Sequence, residues 1–108
     1  MSKIDMRVAL TPKEALEKVL NRQTADLVHE EFHDLGAGRQ MGTLVFEKYY
    51  FRAGNRAALV VIADNLQGVT EVRIVATGSG RGVFFKMDSG AATDFARSVE
   101  EILADDQV

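Results

Sequence analysis

The sequence has no cysteine, which excludes a thiol nucleophile, a disulfide framework and a Cys-ligated zinc site, while leaving the redox compartment open. It also lacks an excess of positive charge. With 13 Lys+Arg against 16 Asp+Glu and a net charge of -3, nothing draws the whole chain toward a phosphate backbone or an anionic membrane surface, so nucleic acid is not an expected partner. Long hydrophobic runs are missing too. The longest, Ala57 to Ala63, falls far short of the roughly 20 residues that cross a bilayer. Asp5 and Arg7 interrupt the apolar residues of the first ten positions, so no signal peptide is expected. These absences point to a cytoplasmic protein without membrane contact.

What is present suffices for one core. At 108 residues and 46% hydrophobic, the chain fits a single domain over residues 1–108. Residues 3–10 read as a first strand. Thr11-Pro12-Lys13-Glu14 follows, with Thr11 as cap, Pro12 at the first helical position and Glu14 closing a capping box. The resulting helix runs to about Gln23 and buries Ala15, Leu16, Val19 and Leu20.

Beyond Ala25 the helical period fades. Turn signals at Gly36-Ala37-Gly38, Ala53-Gly54-Asn55, 64–68 and 78–82 divide the chain into strands over about 25–34, 42–52, 57–64, 69–77 and 83–87. A last helix starts at Asp88-Ser89, places Ala91, Phe95, Val99 and Ile102 on one face and ends near Ala104, leaving 105–108 frayed. The expected fold is α+β and two-layered: a strand, a helix, an antiparallel meander of four or five strands, and a C-terminal helix. Ala57-Ala58-Leu59-Val60-Val61-Ile62-Ala63 is apolar at odd and even positions alike, so both faces of that strand want to leave water. If both helices lie on one sheet face, the other is expected to be covered by a second subunit, as a homodimer.

His29-Glu30-Glu31-Phe32-His33 spells HExxH, in which two histidines one helical turn apart bind zinc and the first glutamate acts as general base. That chemistry requires a helix. On a strand His29 and His33 share a face but lie about 13 Å apart, at about 3.3 Å per residue. The chain contains only these 2 histidines, so a third ligand would have to be an unmarked carboxylate. The readings that stand side by side are a zinc-dependent hydrolase, with His29 and His33 as ligands and Glu30 as base, and a half-exposed strand or loop bearing two ordinary histidines.

Gly78-Ser79-Gly80-Arg81-Gly82 alternates glycine like a phosphate cradle. It does not open into a helix as a dinucleotide loop must, nor does it end in GK[ST]. In a meander this loop falls at the same end of the sheet as the 53–56 turn. Arg52, Asn55, Arg56, Ser79 and Arg81 are therefore candidates for a small anion site, against the plainer reading of solvated turn residues. Tyr49, Tyr50 and Phe51 form the only aromatic run, and alternation sends one ring to the core and another to the opposite face. No Ser/His/Asp set or carboxylate pair is marked by its spacing, and no cofactor is expected.

Val45 to Arg56, followed by Gly78-Ser79-Gly80, Phe84-Phe85-Lys86, Gly90 and Phe95, resembles a family of small bacterial proteins known only as a domain of unknown function. The resemblance implies an intracellular, single-domain bacterial protein and supplies no catalytic residues. The order of elements also looks like small helix-grip or TATA-box-binding-protein-like folds, some of which hold apolar ligands between sheet and helix. The leading expectation is a non-catalytic binding or assembly module, a homodimer through the sheet face, with a small ligand or an anion as a further possible partner. The zinc-dependent hydrolase is the alternative.

Overall fold

The computed structural model describes residues 1–51, 54–78 and 85–108. Strand β1 (Ser2–Val8) leads into helix α1 (Pro12–Arg22). Strands β2 (Asp26–Gly36), β3 (Arg39–Tyr50), β4 (Asn55–Asp64) and β5 (Thr70–Gly78) follow, and helix α2 (Phe85–Leu103) ends in a 3-10 turn at Ala104–Asp106. The sheet order is β1-β5-β4-β3-β2 with every pair antiparallel. The meander thus supplies four strands, and β1 returns to pair with its last member.

Helix α1 begins as its sequence dictates. The Thr11 hydroxyl accepts from the Glu14 amide at 3.1 Å, and the Glu14 carboxylate accepts from the Thr11 amide at 2.9 Å, with Pro12 at the first turn. The helix buries Pro12, Ala15, Leu16 and Val19. Both helices lie on one face of the sheet, α2 against β5, β1 and β4, and α1 against β3 and β4. Between them and the sheet sit Leu44, Phe46, Leu59, Val61, Val72, Ile74, Phe95, Val99 and Leu103, each at most 2% exposed. Gln23 and Ser98 join the two helices by a side-chain hydrogen bond of 3.0 Å.

Two expectations need correction. Residues 85–87, assigned to a strand from their aromatic and apolar character, form the first turn of α2; the remaining residues of that assignment, 83 and 84, lie outside the described residues. Strand preference is the weaker signal here, because the apolar positions from Ala91 through Phe95, Val99 and Leu103 make a continuous helical stripe that the sheet buries and the helix extends upstream of it. The C-terminus is not frayed. Asp106 pairs with Lys18 at 2.6 Å, its carbonyl accepts from the Ala9 amide at 2.8 Å, and the Val108 amide donates to Arg7 at 3.0 Å. These bonds tie the last residues alongside β1. Among the described residues no helix is long and apolar enough to cross a membrane.

Gly42 on β3 is a packing requirement. A Cβ there would stand 2.5 Å from Leu16 Cδ1 and 2.7 Å from the Glu31 carbonyl oxygen, with Phe32 Cδ1 at 3.2 Å. Only glycine lets α1 and β2 approach β3 together, and the backbone oxygen cannot move aside as a side chain can. Gly42→Ala is therefore expected to lower unfolding stability by about 1–3 kcal/mol through overpacking. A shift of the urea midpoint at unchanged m-value measures it.

Candidate functional site

The pairing registers place every side chain of the sheet on one of two faces. On the helix-covered face a row runs Ile4, Ile74, Val61, Leu44, Glu30, and the next runs Met6, Val72, Ala63, Gly42, Phe32. On the helix-free face one row reads Lys3, Val75, Val60, Val45, His29; the next, Asp5, Arg73, Ile62, Thr43, Glu31; and the next, Arg7, Glu71, Asp64, Met41, His33. The helix-free face thus has an apolar patch of Val45, Val60, Ile62 and Val75 on the three inner strands, bounded by the charged edge strands and by Glu47, Asp64, Glu71 and Arg73. Arg73 donates to the Asp64 carboxylate at 2.9 Å, and that carboxylate, 6% exposed as a residue, also accepts from the Leu66 amide at 3.2 Å.

The HExxH segment lies on β2, not on a helix. Alternation along the strand sends His29, Glu31 and His33 to the helix-free face and Glu30 to the other. The zinc-hydrolase arrangement does not form, because its base and its ligands stand on opposite sides of the sheet and its histidines are four strand residues apart. No group of three or more His, Asp or Glu side chains among the described residues is disposed to hold a metal ion. What forms instead has period two. The Nε2 of His29 donates to Glu31 Oε1 at 2.8 Å, and the Nε2 of His33 donates to Glu31 Oε2 at 3.1 Å. One carboxylate therefore bridges two imidazoles, all three about half exposed. The hydrogen bond from His29, then the one from His33, hold the Glu31 carboxyl below the ordinary glutamate value of 4.5. Spacing of His-x-Glu-x-His on a strand is the signal that finds this stripe; a search for helical spacing passes over its central residue.

The candidate anion residues are only partly described. Tyr50 pairs with Asn55 and Ala57 with Gly78, so the turn after β3 and the chain beyond β5 do leave the same end of the sheet. Arg56 is held by the Glu47 carboxylate at 3.0 Å and lies 3.9 Å from that of Asp26. Arg52, Ser79 and Arg81 lie outside the described residues. The aromatic run divides as alternation requires: the Tyr50 ring packs on Phe95 at 5.7 Å, whereas Tyr49 meets the exposed Phe51 edge-on at 5.1 Å.

A feature that periodicity alone does not reveal is a groove of about 260 Å³ between α1 and β2. Leu16, Leu20, Phe32 and Leu44 line it, the buried Leu16 and Leu44 together with the exposed Phe32. Sequence patterning identifies Leu16 and Leu20 as core-facing, but only the packing shows that α1 stops short of β2 and leaves their flank open.

The depressed Glu31 carboxyl has a defined pH consequence. Its contribution to stability is present above the unfolded-state value and is lost as pH falls through the lower folded-state value. In a carbon-detected NMR titration the Glu31 side chain is expected to titrate below the ordinary glutamate value. The midpoint is expected to rise in a His29→Gln, His33→Gln double variant. An unchanged midpoint in that variant would show that the imidazoles do not hold the carboxylate.

A search of curated proteins and of solved structures finds no match to the chain. The model of the Family of unknown function (DUF6054) matches residues 1–106, nearly the whole sequence, in agreement with the expected resemblance to a domain of unknown function. The chain belongs to this family.

Proposed function

We propose that the protein is a non-catalytic binding or assembly module that works as a homodimer joined through its helix-free sheet face. One observation carries the reading: β4 is apolar on both faces, and the helices cover only one of them. Ala57, Leu59, Val61 and Ala63 are sealed under α1 and α2, at most 2% exposed. Ala58, Val60 and Ile62 point the other way and are only half-buried, by their neighbours in the same sheet. Val45, Met41 and Val75 extend that patch across β3 and β5. Leaving such a row in water forgoes about 25 cal/mol for each Å² of apolar surface that a partner would cover.

The sheet order supports self-association in particular. Strand β4 is the middle of five, so a two-fold axis running along it sets β4 on its own copy, β3 on β5 and β2 on β1. Apolar centre then meets apolar centre. The charged edges meet as well, β1 offering Lys3, Asp5 and Arg7 and β2 offering His29, Glu31 and His33. With the axis along the strand each row meets itself, so Lys3, Asp5 and Arg7 fall opposite His29, Glu31 and His33, at the rim of the contact where solvent screens them.

Light scattering during gel filtration is expected to give twice the 11.9 kDa chain mass for the wild type and the single mass for Val60→Glu. Because the chain has no cysteine, Val60→Cys supplies a second readout. With a bis-maleimide of about 10 Å span it should cross-link into a dimer, because packed sheets lie about 10 Å apart and a direct disulfide would not reach, while Glu17→Cys should not. A wild-type protein that stays monomeric at working concentration overturns the reading.

A further inference from the structure

The helix layer is one helix short of the sheet it covers. Adjacent strands lie about 4.8 Å apart and a helix with its side chains is about 10 Å wide, so each helix shields roughly two strands. With α2 over β1, β5 and β4 and α1 over β4 and β3, strand β2 is left bare on the helix side by the described residues. All eleven of its residues are exposed. Leu27 and Phe32, which point toward the helix layer, are 44% and 42% exposed, and Val28 and Leu35 add to the exposed apolar surface of the same strand. The groove between α1 and β2 is the inner half of the vacant position.

Charge decides what fits there. The strand carries four carboxylates, Asp26, Glu30, Glu31 and Asp34, and no Lys or Arg. Glu31 is engaged by its two histidines on the far face, and Asp26 lies near Arg56. Glu30 faces the groove and has no ion-pair partner among the described residues. Glu17 borders the groove from α1, with Lys13 as the single cation on the rim. A second copy of this chain docking through β2 would bring four carboxylates against four, and α1, although it carries Lys13, Lys18 and Arg22 beside Glu14 and Glu17, has its apolar stripe already buried against its own sheet.

We infer that the vacant position over β2, beside α1, receives one amphipathic helix of a partner protein, apolar along one stripe and flanked by Lys or Arg. Its apolar residues enter the groove lined by Leu16, Leu20, Phe32 and Leu44. Its cations lie against Glu17 and Glu30. About three turns, the length of α1, spans the seat. Docking here uses the opposite side of the sheet from the proposed dimer contact and does not depend on it.

The test is selection of a display library of random 16-residue peptides on the full chain, followed by binding of a synthetic copy of an enriched sequence. The expected result is enrichment of sequences with apolar residues at spacings of three and four and Lys or Arg between them. The synthetic peptide should move amide resonances at Leu16, Leu20, Phe32 and Leu44. Affinity should drop at least tenfold on Leu20→Glu. A Glu17→Lys, Glu30→Lys double variant changes only exposed residues, so it tests the charge argument even if Leu20→Glu fails to fold, and it should weaken binding severalfold. Val60→Glu should leave binding intact whatever it does to the dimer. The inference is overturned by an absence of enrichment, by acidic peptides, by the alternating pattern of an added strand, or by resonance shifts on the helix-free face.

Discussion

Two helices cannot cover the two faces of a five-stranded sheet, and most of the character of this molecule follows from that mismatch. Strand spacing and helix width allow α1 and α2 to seal about four strands of one face. The core accordingly sits under them, centred on Leu59, Val61 and Ile74, none of which is exposed to water. The opposite face and the edge strand β2 are left to solvent. Neither is a neutral surface: the face has an apolar centre on the middle strand, and the edge carries exposed leucine and phenylalanine among carboxylates.

These two surfaces differ in what they invite. The apolar patch of the helix-free face lies on the strand about which the sheet order is symmetric, which is what the proposed dimer would use. The β2 flank is acidic, which works against self-pairing along a long edge strand and is a familiar way for proteins to prevent aggregation through such edges. The same acidity favours a basic segment. On the far side of β2, Glu31 is occupied by His29 and His33, so the strand presents a partly neutralised stripe to one face and an uncompensated Glu30 to the other.

The HExxH letters show how secondary structure assigns chemistry. On a helix, positions one and five converge and position two is their neighbour. On a strand, positions one, three and five converge, and position two belongs to the opposite face. Glu31 rather than Glu30 therefore becomes the partner of both histidines. Much of the fold was legible in advance because the signals were local: the Thr11 to Glu14 capping box, the Gly36-Ala37-Gly38 turn and the two-sided apolar run of β4. Turn residues Gly36, Ala37 and Gly38 all take positive φ, consistent with a tight hairpin there. The start of α2 and the ordered C-terminus were less legible. Residues 85–87 have strand-like composition but are carried into a helix by the buried stripe downstream, and Asp106 is ordered only because Lys18 and Ala9 are brought to it by the fold.

By itself the sequence determined α1, the course of the first five strands and which strand is apolar on both sides, because capping, turn chemistry and side-chain periodicity act between residues close in the chain. Its composition also excluded cysteine chemistry. Only the tertiary structure decided that β4 is the middle strand, that β2 is an uncovered edge, and that α1 stops short of it. Those facts depend on β1 pairing with β5 and on where two helices come to rest on one sheet face, contacts between residues distant in sequence that no local pattern encodes.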